Sequence, residues 1–257
     1  MRLAGQAFYC WVVVLGVILS ALAANKPTPT SNVEGQKLAA ELRSLRPTEN
    51  LEVKGLLSIR AADGQRTKVP FQYRFISGDQ SWQSIYQIAS GSGWAEKLVV
   101  VHTEGGPTRY WHSRANGAGG PAAEPIALVG DQAMIPFAQS DFWLADLGLE
   151  FLHWPEQRIV QEAKIKMRKG RPCNVLESVN PQPNAAGYTR VRSWIDAKNG
   201  GVILAEAYGP DNKLMKEFEV GGLTKVNGRW ELKDMEMRTA QTDSKTVFEF
   251  KYEQKAE

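Results

Sequence analysis

The chain has 257 residues, 43% of them apolar and 23% charged, with 31 basic against 28 acidic side chains. A chain of this size and composition buries roughly 70–75% of its unfolded surface, so disorder throughout is excluded. A formal charge of +3 is too small for a nucleic-acid binder, which needs a concentrated basic face, and two cysteines exclude a disulfide scaffold. No dinucleotide, P-loop, HExxH, GxSxG, CxxC or EF-hand signature occurs, so no local motif names a chemistry.

Arg2 precedes an apolar run from Ala7 to Leu19, and Ser20-Ala21-Leu22-Ala23 follows. Ala21-Leu22-Ala23 is an A-x-A cleavage signature, so residues 1–23 are expected to be an export signal cut near Ala23/Ala24. The alternative is an uncleaved inner-membrane anchor through residues 7–24, at the short edge for a hydrocarbon core of about 30 Å. Cys10 lies too early in the run for a lipoprotein signal. Its removal with the signal leaves one thiol, Cys173, which reads as a small packing group with no histidine placed to activate it. Residues 24–30 form a linker containing Lys26-Pro27-Thr28-Pro29-Thr30, and residues 31–257 form one domain without internal repeats.

Ser31-Asn32-Val33-Glu34 has the form of a capping box, and Leu38, Leu42 and Leu45 follow at helical spacing until Pro47. A helix of about four turns is expected there. After Asn50 the period changes to two. Leu51, Val53, Leu57 and Ile59 alternate with polar residues, Ala61-Ala62-Asp63-Gly64 turns, and Phe71, Tyr73 and Phe75 alternate in the next run. Trp82, Ser84 and Tyr86 follow, then Leu98–His102 and Thr108–His112 around Gly105-Gly106-Pro107. His102 and His112 lie on neighbouring strands, but no further ligands point to a metal. Residues 114–125 are Gly-rich and read as a loop.

Ser140 to Trp154 is dense in large apolar groups without alternation and reads as one or two short helices stopped by Pro155, with His153 near the helix end. Strands then resume at Ile159–Arg168, Asn174–Val179, Tyr188–Asp196, Val202–Tyr208, Leu214–Val220, Trp230–Met237 and Phe248–Tyr252. The expected fold is mainly β: a single curved antiparallel sheet of about eleven strands, with helices on one side. On the Tyr188–Asp196 strand, alternation puts Tyr188, Arg190, Arg192, Trp194 and Asp196 on one face. That face reads either as a polar outer surface with Arg-over-Trp contacts or as a headgroup or partner site. No carboxylate pair is set apart for acid–base work, so no catalytic residue is nominated.

An ordered series of motifs carries a family resemblance: Ser140-Asp141-Phe142-x-x-x-Asp146-Leu147, then Gly170-Arg171-Pro172-Cys173-Asn174-Val175-Leu176-Glu177. Tyr188-x-Arg190-Val191-x-x-Trp194-Ile195-Asp196, Lys216-Glu217-Phe218 and Trp230-x-Leu232-x-x-Met235-Glu236-Met237 complete it. The chain resembles the outer-membrane lipoprotein-sorting (LolA-like) group of bacteria, best over residues 137–253. From residue 31 to 113 only the order of helix and meander matches. The resemblance implies an incomplete, half β-barrel with helices over its concave face and an apolar cavity for acyl chains. It implies a carrier in the periplasm, without cofactor or catalysis, whose partners are lipoproteins or lipid acyl chains and possible envelope membrane proteins. A monomer is expected. The lid arginine of the well-studied carriers has no match in this chain.

Removal of the signal leaves seven Trp, six Tyr and eight Phe. These rings either line a cavity or fill a core. Candidates for cavity or lid are Phe71, Tyr73, Phe75, Phe142, Trp143, Leu149, Phe248 and Phe250, with Phe142–Trp154 as the lid segment. Arg190, Arg192 and Trp194 are candidates for a headgroup or partner face. The competing reading is a non-catalytic envelope interaction module with the same fold and a filled core.

Overall fold

A computed structural model describes residues 29–88, 94–116, 124–160, 166–226 and 228–252. The expected export signal, most of the expected linker and the centre of the expected Gly-rich loop lie outside the described residues. Helix α1 runs Pro29–Ser44, so it takes in the last two residues of the expected linker and starts before the Ser31 box. Its inward stripe is made of small groups. Ser31, Gly35 and Ala39 are buried with Leu42, whereas Leu45 lies past the helix and is exposed. A Cβ on Gly35 would sit 2.5 Å from the backbone of Arg158, so the absence of a side chain there is what lets α1 lie directly on the strand beneath it.

Fourteen strands follow: β1 Leu51–Arg60, β2 Arg66–Ile76, β3 Ser81–Ile88, β4 Trp94–Thr103, β5 Arg109–Asn116, β6 Ile126–Leu128, β7 Glu156–Ile159, β8 Lys166–Arg168, β9 Arg171–Val179, β10 Arg190–Asp196, β11 Val202–Tyr208, β12 Leu214–Val226, β13 Arg229–Thr239 and β14 Ser244–Lys251. The expected count of about eleven is short for two reasons. β6 is too brief to show alternation, and two strands, β7 and β8, are described on either side of residues 161–165 where a single run was foreseen at 159–168.

Neighbours pair antiparallel in the order β6-β5-β4-β3-β2-β1-β14-β13-β12-β11-β10-β9-β7, with β8 beside β9. The terminal strands β6 and β7 are not neighbours, so the sheet is open: a curved half-barrel. β1, the first strand, pairs with β14, the last, and this joins the two meanders at the centre. Gly55 sits at that join, where a Cβ would lie 2.4 Å from the Glu249 carbonyl of β14 and 2.3 Å from the Phe71 ring of β2 that fills its place.

Between β6 and β7 the chain crosses the concave side. It forms a 3₁₀ turn at Gly130–Ala133, helix α2 at Leu144–Leu147 and a 3₁₀ turn at Glu150–His153, as the dense apolar segment suggested. One apolar core lies between this crossing segment and β1–β5, β13 and β14. A second lies between α1, the Glu150–His153 turn and β9–β11. A small satellite, Cys173, Val175, Trp194 and Ile203, sits apart from both. No helix among the described residues is long and apolar enough to cross a membrane.

Candidate functional site

The crossing segment does not cover the concave face evenly. Over β1, β2 and β14 it is solid. Phe71 meets Phe248 edge-on at 4.9 Å and Phe250 at 5.4 Å, and Phe142 meets Phe248 at 5.0 Å. Phe71, Phe142 and Phe248 are all buried, with Phe137 closing over Phe248. Four of the predicted cavity residues, Phe71, Phe142, Phe248 and Phe250, therefore belong to a packed cluster of rings.

Toward β3 and β4 a cleft of about 560 Å³ opens between the concave face, the C-terminal end of α1 and the Gly148–His153 stretch. Tyr73, Phe75 and Leu149, also predicted, line it together with Trp82, Tyr86, Leu147 and Leu152. Its volume falls in the range of small-ligand sites, about 300–1,000 Å³. The register explains the floor: Tyr73 pairs with Tyr86, and Phe75 with Ser84, so alternate residues of β2 and β3 present one surface. The roof needs Gly148, because a Cβ there would lie 2.3 Å from the Tyr110 hydroxyl. Leu149 adopts a left-handed backbone (φ 51°), which begins the Glu150–His153 turn.

Polar groups gather where α1 and the β4–β5 turn border the cleft. The Arg46 guanidinium lies 4.2 Å over the Trp82 ring, and Trp82 stacks on His102 at 5.4 Å. Arg43 donates to the Leu152 carbonyl, and the Thr108 hydroxyl lies 2.9 Å from His153 Nε2. Burial lowers His102 and His153 from 6.5 to about 4, so both are neutral at neutral pH. His102 and His153 both line the cleft; His112 instead bonds buried Glu96 at 2.9 Å. The expected approach of His102 to His112 is thereby corrected: His112 pairs with Leu98 in the ladder, four residues along β4 from His102. No group of three or more His, Cys, Asp or Glu able to hold a metal occurs among the described residues.

The crossing segment is fastened by the Ser-Asp-Phe motif. Asp141 accepts hydrogen bonds from Thr239 (2.6 Å), Ser244 (2.5 Å) and Thr246 (2.7 Å), on β13 and β14. Lys216 reaches in from β12 and donates to the Asp141 carbonyl at 2.6 Å. Its ammonium lies 3.5 Å from Asp146 and 3.7 Å over the Trp143 ring. Burial pushes Lys216 down to about 8, against the pull of Asp146 and Asp141. Asp146 also accepts the Trp143 N–H at 2.8 Å, which caps α2. Trp143 stacks on Tyr188 at 4.6 Å and lies outside the cleft. Tyr188 precedes β10 and joins this inward cluster, so it leaves the face of Arg190 and Arg192 that alternation assigned to it.

Arg190 and Arg192, with Arg158 of β7, all reach one carboxylate, Glu177 of β9. Burial alone would raise Glu177, but hydrogen bonds from Arg192, Arg158 and Arg190 outweigh it and hold the carboxyl at about 2. Arg190 lies 3.9 Å over Tyr208, and Arg168 lies 4.7 Å over buried Trp194. This cluster is separate from the cleft.

Sequence reading missed Trp82, Tyr86, Leu147, Leu152 and the α1 residues as cleft lining. The Trp82-Ser84-Tyr86 alternation beside Phe71-Tyr73-Phe75 held the signal for the first two. The part played by α1 had none.

Residues 122–255 match a family model described as "-like: Uncharacterized protein". The chain belongs to that family, and its fold is LolA-like. A DUF1329 family protein from Desulfovibrio piger superposes with a TM-score of 0.69 at 16% identity, covering 86% of this chain and 91% of that one. A putative outer membrane lipoprotein-sorting protein domain from Vibrio parahaemolyticus gives 0.69 at 17% identity, covering 86% and 92%. A LolA superfamily protein from Nitrosomonas europaea gives 0.57 at 16% identity, covering 88% and 94%. No curated protein matches the sequence. The LolA-like likeness, at such identities, is one of fold.

Proposed function

We propose that this LolA-like domain is an exported, monomeric, non-catalytic carrier that holds acyl chains of a lipid or lipoprotein in the cleft between α1 and β2–β4. It works in the periplasm after cleavage near Ala23/Ala24. The observation that carries this reading is an unfilled volume of about 560 Å³ with aromatic and leucine walls, beside the packed rings of Phe71, Phe142 and Phe248. Each acyl methylene buried there contributes about 0.8 kcal/mol. The neutral histidines add no charge to the walls, and Arg43 and Arg46 stand where a chain's polar end would emerge.

The test is binding of a fluorescent fatty-acyl probe to wild type and to Leu149→Glu. Leu149 is 38% exposed and lines the cleft, so its substitution leaves the fold intact while placing a carboxylate against the ligand. The expected result is an unchanged melting temperature with lost probe binding. Equal binding by the two proteins would remove the cleft as the site. No binding by wild type would favour an interaction module that uses the surface of the sheet.

A further inference from the structure

The longest hairpin leaves the sheet. β12 pairs with β11 only as far as Glu219, and β13 meets β14 only from Asp234 onward. Beyond those points, among the described residues, Val220–Val226 and Arg229–Lys233 pair with each other alone. The pairing is irregular at Val220, Gly222 and Leu223, where Lys233 is passed over. Gly221 permits this, since a Cβ there would lie 1.5 Å from an Asp234 carboxylate oxygen. The slip changes which side chains face inward. Met235 and Met237 belong to the concave core, and so does Leu232, three residues before Met235.

The concave apolar face therefore continues along the ribbon. Leu232 packs partly against the core, Leu223 lies directly opposite it, and Trp230 is two residues farther out on the same side. Trp230 is 70% exposed, the most exposed aromatic among the large hydrophobics of the described residues. Its cross-strand partner is Lys225 and its chain neighbours are Arg229 and Glu231; Lys233 lies three residues on, so the ribbon from Gly222 to Lys233 carries three cations against one acidic residue, with Asp234 next in the chain. The ribbon projects from a defined edge. β1 begins there, β2 and β4 end there, and Arg229 lies 3.7 Å from Glu49 in the α1–β1 connection. The same edge borders the cleft through Arg43–Pro47 and Thr103–Gly105, and it exposes Leu45 and Ile76.

We propose that the β12–β13 ribbon docks on an anionic lipid bilayer, with Trp230 at the level of the headgroups and Lys225, Arg229 and Lys233 against their negative charge. An exposed tryptophan among cations suits that interface, because the ring is apolar with one polar handle and the cations meet anionic headgroups. Docking on this edge brings the border of the cleft to the lipid surface. The docking itself holds whatever occupies the cleft, so it stands apart from the carrier reading.

The test is co-sedimentation of the full chain, as exported, with vesicles of phosphatidylglycerol and with vesicles of phosphatidylcholine. Wild type is expected to bind the former more tightly, and more weakly as salt rises. Trp230→Ala should weaken binding roughly tenfold, and Lys225→Gln roughly fivefold, consistent with the loss of one cation near a charged surface. Trp111→Ala is the control, because Trp111 is 43% exposed on β5, far along the sheet, and should leave binding unchanged. Trp230→Ala should also leave fluorescent acyl-probe binding in solution unchanged, which separates docking from carriage. Wild type that ignores both vesicles, or Trp230→Ala that binds as wild type does, overturns the proposal. So does a concentration-dependent dimer lost in Trp230→Ala without vesicle binding, which would make the ribbon a contact between copies.

Discussion

Two parts of one concave face differ in what covers them. Over β1, β2 and β14 the crossing segment lies flat, its Phe137 and Phe142 locked against Phe71 and Phe248. Over β3 and β4 the cover is the end of α1 and the Gly148–His153 stretch, and a cleft remains. Amount of apolar surface does not separate the two, since both carry rings at alternate positions. What separates them is fastening. Asp141 ties the first part to three hydroxyls of β13 and β14. α1 is committed elsewhere: its buried Ser31, Gly35 and Ala39 seat it on β7, at the opposite edge of the sheet from β3. An apolar surface stays open when the element that would close it is anchored somewhere else.

This contrast breaks most visibly in the solid part. Phe248→Ala removes the ring at the centre of the cluster and is expected to cost about 3–5 kcal/mol, read from urea unfolding. A loss near that of an exposed residue would show that the rings are not a packed unit. Asp141→Asn keeps the size but loses the charge that three hydroxyl donors serve. The expected loss is about 2–3 kcal/mol with faster proteolysis after residue 137, because the cover is released before the sheet.

How legible was this from the sequence? The sheet was, since period-two runs at Phe71-Tyr73-Phe75 and Trp82-Ser84-Tyr86 need only the pleat to place them. The Ser140–Leu147 motif was visible as a motif, but its meaning was not. The partners of Asp141 are Thr239, Ser244 and Thr246, about a hundred residues later, and only the pairing of β13 with β14 assembles them. The α1 stripe was legible in part: Leu42 is buried and Leu38 packs against the second core, but Leu45 is exposed, and Gly35 and Ala39, which a close backbone approach selects, carry no leucine-like signal. The β13 irregularity was written in plain view: Trp230 and Leu232 are two apart, as are Met235 and Met237, but Leu232 and Met235 are three apart. A period of two that skips once marks a bulge.

Acid should act chiefly on the open part. His102 and His153 are held at about 4, below their ordinary 6.5, so the unfolded chain binds more protons than the folded one between those values. Stability is expected to be full above pH 6.5 and to fall as pH drops toward about 4, by less than the Asp141→Asn loss, since both rings are partly solvated. His102→Phe should flatten that slope in urea midpoints measured at pH 7 and 5, and an unchanged slope would place the titration elsewhere. Glu177 acts lower: its stability is present above 4.5 and is lost as pH falls toward about 2. The smallest effect is Cys173→Ala. Cys173 is buried in the satellite cluster, far from the cleft, so a loss of about 1 kcal/mol with unchanged acyl-probe binding is expected.

The most direct measurement is photolabelling of the protein with a fatty acid carrying a diazirine on its chain, followed by peptide mapping. Label is expected on the peptides that carry Tyr86, Leu149 and Leu152, with none on the Phe71–Phe248 cluster behind them. Label on the Arg190–Trp194 strand, or spread without preference over the sheet, would contradict an acyl site in the cleft.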